Sequence, residues 1–121
     1  MKIGEVAASA GVSVRALRYY EEQGLLHSER TRGGQRVYEA GAVGRVRLLQ
    51  QLYSAGLTSS KITELLPCVD APSEHTTAAS VAVMREEYAR LSAQIDELIA
   101  VRAQLGHILE AASAYLDQDK R

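Results

Sequence analysis

A chain of 121 residues, 46% hydrophobic and carrying a net charge of −1, has room for one small domain plus an extension, which excludes two full cores. Phe and Trp are absent and six Tyr supply every aromatic ring, so the core must come mainly from Leu, Val, Ile and Ala, a composition that favours helix over sheet. Cys68 is the one cysteine, which excludes an internal disulfide and any cysteine-pair metal motif.

No apolar run is long enough to span a bilayer, and no apolar signal region stands behind Lys2. A cytoplasmic protein with no membrane contact is the expectation. The two parts of the chain differ in sign: Met1–Leu66 carries nine Lys/Arg against six Asp/Glu, and Pro67–Arg121 five against nine. A basic part followed by an acidic one suits a DNA-binding module joined to a segment that does not touch DNA.

Taken in order, Ile3, Val6, Ala7 and Ala10 recur at helical spacing and predict a short first helix ending at Gly11. Gly11-Val12-Ser13 is then a turn, and Ser13 an N-cap for a second helix that Gly24 stops. On that second helix Arg15, Arg18, Tyr19 and Glu22 share one side, while Val14, Ala16, Leu17 and Tyr20 turn to the other. An ordinary solvated helix face would carry the same charges. Following a short helix and a Gly turn, however, the pattern reads as the recognition helix of a helix-turn-helix, the helix that enters the major groove.

Beyond Leu25 and Leu26, which close the small core, His27–Thr31 and Gln35–Tyr38 flank Arg32-Gly33-Gly34. Paired glycines between two short segments predict a hairpin turn with positive φ. Arg30, Arg32 and Arg36 lie on or beside this wing, where guanidinium groups can reach phosphates or a minor groove. An amphipathic helix follows over about Glu39–Ala55, with Val43, Val46, Leu49 and Tyr53 on its apolar side and Gly41 and Gly44 weakening its start. Gly56 ends it, Thr58 or Ser59 starts another helix with Ile62, Leu65 and Leu66 inward, and Pro67 is expected to end that one. These two helices read as scaffold, with Arg45, Arg47 and Lys61 available for added DNA-backbone contacts.

Residues 1–67 thus read as a winged helix-turn-helix domain, 68–77 as a linker containing Pro72, and 78–121 as a long helix with a C-terminal tail. In the last of these Met84, Tyr88, Leu91, Ile95, Leu98, Arg102, Leu105, Leu109, Ala112 and Leu116 follow steps of four and three, a heptad seam. One apolar stripe cannot hold so long a helix in water without a partner helix, so a coiled-coil homodimer is expected. Arg102 on the seam either sets the register or direction of pairing, as a buried polar residue can, or, in the favoured reading, snorkels outward. Ile99 and Ile108 lie off it, as if packing on a partner's short helix around Ile62 and Leu65.

With Ile3-Gly4-Glu5-Val6-Ala7, Gly11-Val12-Ser13, Leu17-Arg18-Tyr19-Tyr20-Glu21, Gly24-Leu25-Leu26, Arg30 and Arg36-Val37-Tyr38 in this order, the chain resembles the MerR family of bacterial transcription regulators over nearly its full length. The resemblance implies a mainly α fold: a winged helix-turn-helix domain with a small β-hairpin wing, two supporting helices and a long helix that forms an antiparallel coiled-coil dimer. It also implies a pseudo-palindromic promoter operator that the dimer distorts in response to an effector, with RNA polymerase engaged indirectly at the promoter. By position, Arg18, Tyr19, Arg36 and Tyr38 match the family's DNA-contacting places, and Arg15 joins them by helical geometry. The chain departs from the usual pattern at Ala16 (commonly Thr), Ser28 (commonly Pro), Gln35 (commonly aromatic), Gly41 and Gly44.

The effector stays open. Cys68 and His75 near one end of the long helix and His107 of a partner near the other are the candidate sensing residues, either as a mixed thiolate–imidazole site or through oxidation of Cys68; no metal and no cofactor are assigned. A coiled-coil adaptor or architectural DNA-binding module without an effector is the alternative function. An enzyme is not expected, because His27, His75 and His107 lack a nearby nucleophile or carboxylate constellation.

Overall fold

The first turns of the chain follow its local signals closely in the computed structural model, which describes residues 1–119. Helix α1 (Ile3–Ala10) stops at Gly11, and α2 (Val14–Glu22) begins behind Ser13, whose Oγ accepts a hydrogen bond from the Ala16 N–H at 3.1 Å. That cap satisfies one of the four N–H groups a helix start leaves without a partner. At the far end Gly24 takes φ +73 and the Leu25 N–H reaches back to the Tyr20 carbonyl at 2.9 Å, a reversal that costs a glycine little. It swings Leu25 and Leu26 beneath the helix pair, where both are buried.

A two-stranded antiparallel hairpin follows, β1 (Glu29–Arg30) and β2 (Arg36–Val37), with Glu29 opposite Val37 and Arg30 opposite Arg36. Of the paired glycines only Gly34 has positive φ, at +80, so the turn needs one left-handed residue and not two. Strands of two residues do not hold themselves. Here the start of the chain supports them: Lys2 bridges Val37, and Met1 and Tyr38 exchange two hydrogen bonds, 2.8 Å from the Met1 ammonium to the Tyr38 carbonyl and 2.7 Å from the Tyr38 N–H to the Met1 carbonyl.

Helix α3 (Ala42–Ser54) starts three residues later than the periodicity predicts, with Gly41 as its uncapped flank, and α4 (Ser59–Asp70) starts behind Thr58, whose Oγ1 accepts from the Lys61 N–H at 3.2 Å. Pro67 does not end α4. It removes one N–H in the last turn but leaves its own carbonyl free to accept from the Ala71 N–H at 2.9 Å, and the turn is tied down from outside. Arg45 on α3 grips both Asp70 carboxylate oxygens, at 2.5 and 3.2 Å, while its Nε donates to the Leu25 carbonyl at 3.0 Å. The segment read as a linker over 68–77 is accordingly mostly helix: Cys68–Asp70 finish α4, and α5 (Glu74–Asp119) already runs at Glu74.

The chain divides into two compact units, Met1–Val83 and the segment from Met84 onward. In the first, Val6, Leu17, Val46, Leu49 and Ile62 are fully buried at the centre of one apolar cluster, which Leu65 and Leu66 extend. The Tyr20 and Tyr53 rings stack across it, centroids 5.6 Å apart. Val83 packs on its edge and Ser80, one turn earlier on α5, is buried without a hydrogen-bond partner among the described residues. Because Ile62 and Leu65 lie inside their own chain's core, they cannot be the surface that receives Ile99 and Ile108 of a partner.

The second unit is the remainder of α5. Its seam residues Met84, Tyr88, Leu91, Ile95, Leu98, Leu105 and Leu109 are all exposed, as are Ile99, Val101, Ile108, Tyr115 and Leu116 off or beyond them. Lys120 and Arg121, the end of the segment read as 78–121, lie outside the described residues. Among the described residues no helix is long and apolar enough to cross a membrane.

Candidate nucleic-acid interface

Helix α2 buries Leu17 and Tyr20 and therefore turns Arg15, Arg18 and Tyr19 outward, where all three are exposed. The hairpin stands beside it, and between the two runs an open groove of about 830 Å³ lined by Lys2, Glu5, Arg18, Arg30, Gln35 and Arg36 among others. Four cations face one carboxylate there, so the groove attracts a polyanion. Arg30 is held in place by its Nη1, which donates to the Gly34 carbonyl at 2.9 Å, and Arg32 is exposed at the wing's turn.

The remaining two predicted contacts behave differently. Residues two apart in a strand face the same side, and Arg36 and Tyr38 both face Glu21 on α2. The Arg36 Nε sits 3.0 Å from Glu21 Oε2, with both side chains largely covered. Arg36 therefore spans from wing to recognition helix and keeps only part of its guanidinium toward the groove. Tyr38 is a correction to the sequence reading: at 2% exposure it is a core residue, and it does not line the groove between α2 and the wing. Its hydroxyl and Glu21 Oε1 are both buried without a hydrogen-bond partner among the described residues. Burial above all, then the nearby Glu21 carboxylate, pushes the Tyr38 phenol up to about 12, with Arg36 pulling the other way. Burial next to Tyr53 raises the Tyr20 phenol as well.

Tyr19 is 45% exposed, yet its hydroxyl is not loose: it lies 3.1 Å from Ser59 Oγ at the start of α4, and Ser59 Oγ in turn hydrogen-bonds the Tyr53 hydroxyl. Sequence reasoning missed this link and also missed Lys2, since both depend on pairings between distant segments. The three scaffold cations offered for added backbone contacts are each engaged within the chain, though Arg47 stays exposed. Arg45 is consumed by Leu25 and Asp70, Arg47 donates to the Ser9 carbonyl at 3.1 Å, and Lys61 pairs with Glu64 at 3.5 Å. As for the sensing candidates, Cys68 is half-buried on the last turn of α4, and His75 and His107 are exposed on α5. Among the described residues no three His, Cys, Asp or Glu side chains cluster as a metal site would require.

Residues 1–67 match the family described as MerR HTH family regulatory protein, and residues 43–108 the one described as MerR, DNA binding. The chain belongs to the MerR family. It is a DNA-binding transcription regulator and not an enzyme. Among its MerR-family relatives, the HTH-type transcriptional regulator ZntR of Escherichia coli strain K12 is 32% identical over 91% of this chain and 79% of its own length. The transcription regulator PbrR691 of Ralstonia metallidurans CH34, whose crystal structure holds lead(II), superposes with a TM-score of 0.78 at 28% identity, over 87% of this chain and 82% of its own. MtaN, the N-terminus of a multidrug transporter activator of Bacillus subtilis, gives 0.63 at 27% identity, over 86% of this chain and 95% of its own. The mainly helical fold with a small wing and a long C-terminal helix is thus the MerR-family fold.

Proposed function

We propose that two copies of this chain pair through α5 and bind a pseudo-palindromic promoter operator as a cytoplasmic homodimer. Arg15, Arg18 and Tyr19 enter the major groove, Arg30 and Arg32 engage flanking phosphates, and Arg36 holds the wing at its angle to α2. The observation that carries this reading is the basic groove shared by α2 and the wing, with Lys2, Arg18, Arg30 and Arg36 on its walls. Pairing is supported by the apolar seam of α5, whose Leu98 and Leu105 are 66% and 64% exposed in one chain. Side chains of that kind, repeated at heptad spacing, have no stable state in water except against another apolar surface.

In this reading an effector makes the bound dimer distort the operator and realign the promoter for RNA polymerase. Bending a site of about 20–30 base pairs by about 40–90° costs on the order of 1–6 kcal/mol, supplied by added backbone contacts. Cys68 and His75, with His107 of the partner subunit, are where effector sensing is sought first. Nuclease footprinting on duplexes retained by the protein, together with its sedimentation mass, tests the reading. A dimer giving symmetric protection about a hypersensitive centre is expected; a monomer protecting one unpaired half-site would overturn it.

A further inference from the structure

Three hydroxyls are joined between α2, α3 and α4: Tyr53 and Tyr19 both lie within hydrogen-bond reach of Ser59 Oγ. A serine hydroxyl has one hydrogen to give and two lone pairs to receive with, and each phenol has one hydrogen. If Ser59 donates to one phenol and accepts from the other, the phenol that receives is left with its own hydrogen free. Which phenol that is follows from burial. Tyr53 is half-buried, its ring stacked on Tyr20, whereas Tyr19 is exposed on the outer face of α2. An unpaired O–H costs more inside than at the surface. If Ser59 accepted from both phenols the leftover hydrogen would sit on half-buried Ser59, so by the same cost the row runs Tyr53 to Ser59 to Tyr19, and the hydrogen left over belongs to exposed Tyr19.

We infer that Ser59 is a positioning residue for DNA recognition, fixing the Tyr19 ring and presenting its O–H as a donor to an acceptor oxygen of the bound duplex. This rests on α2 being the DNA-facing helix. Ser59 itself lies on α4, outside both the recognition helix and the wing, and needs no contact with DNA to act. With Tyr53 braced by the ring stack behind it, the Tyr19 hydroxyl is held before binding, so less side-chain freedom is lost on complex formation.

The test is a double-mutant cycle in the full chain, read as affinity for a duplex that the wild-type protein enriches from a random-sequence pool. Ser59→Ala and Tyr19→Phe each weaken binding by about threefold to tenfold, the scale of one hydrogen bond. Together they weaken it no more than Tyr19→Phe alone, and Ser59→Thr, which keeps the hydroxyl, restores wild-type affinity. Ser59→Ala also leaves the half-buried Tyr53 hydroxyl without its acceptor and lowers the unfolding midpoint by a few degrees, so the deciding readout is the coupling of the affinity loss to Tyr19→Phe, which a purely structural role for Ser59 would not produce. Full affinity in Ser59→Ala, or losses that multiply in the double variant, would overturn the inference and leave the interface standing. Failure of the wild-type protein to enrich any duplex would instead overturn the interface, and the inference with it.

Discussion

Arg36 and Arg18 show how two arginines of the same groove divide the work. Arg18 has its side chain in the open, and replacing it with alanine should reduce operator affinity by about tenfold or more without lowering the unfolding midpoint, as fluorescence anisotropy and a thermal melt would show. Arg36 is tied to Glu21, so its loss would disturb the wing as well as the charge. Tyr38 sits behind that ion pair with its phenol raised to about 12. The unfolded chain releases this proton near pH 10 and the folded chain only near 12. Stability is therefore unaffected below pH 10, falls between 10 and 12 by up to about 3 kcal/mol, and levels off above. Comparing urea unfolding of wild type and Tyr38→Phe across that window isolates the contribution: the wild type should lose more stability than the variant. The sequence does carry a signal for this placement. Glu21 follows Leu17 by four residues and so lies at the inner edge of α2, toward which a strand carrying Arg36 and Tyr38 on one side can turn both.

At the scale of elements, what was legible in the sequence is what short-range chemistry decides. Ser13, Gly11 and Gly24 mark α1 and α2 to the residue because each acts within one turn of where it stands. The Ser13 cap supplies a direct check: Ser13→Ala should cost about 1 kcal/mol in denaturant unfolding, and Ser13→Asp should recover it. Pro67 and the 68–77 segment were not legible for the complementary reason. A proline near the end of a helix is ambiguous, and what tips it is the Arg45 guanidinium arriving from a helix 25 residues earlier in the chain. The candidate site divides in the same way: the outward positions Arg15, Arg18 and Tyr19 follow from periodicity, whereas Lys2 on the groove wall and Ser59 behind Tyr19 appear only once the chain has folded back on itself.

For the whole molecule, the seam on α5 makes the proposed dimer a matter of a few side chains. Leu98→Glu places a charge on the exposed apolar stripe; sedimentation equilibrium should then report a monomer where the wild type is a dimer, with operator affinity lost through the missing second half-site. The wing has a different dependence on the rest of the chain. Its two strands meet across a tight turn and come together locally in microseconds, yet the bonds joining Tyr38 to Met1 close a separation of 37 residues that contains α1 and α2 entire. Such a closure is slow until the enclosed helices have docked. The joining of the wing to the start of the chain therefore depends on the docking of α1 and α2, although the contacts between its own strands are local. Hydrogen exchange at the Tyr38 amide should accordingly follow global unfolding of the N-terminal unit, while the Gly34 amide at the wing's turn exchanges through local fraying.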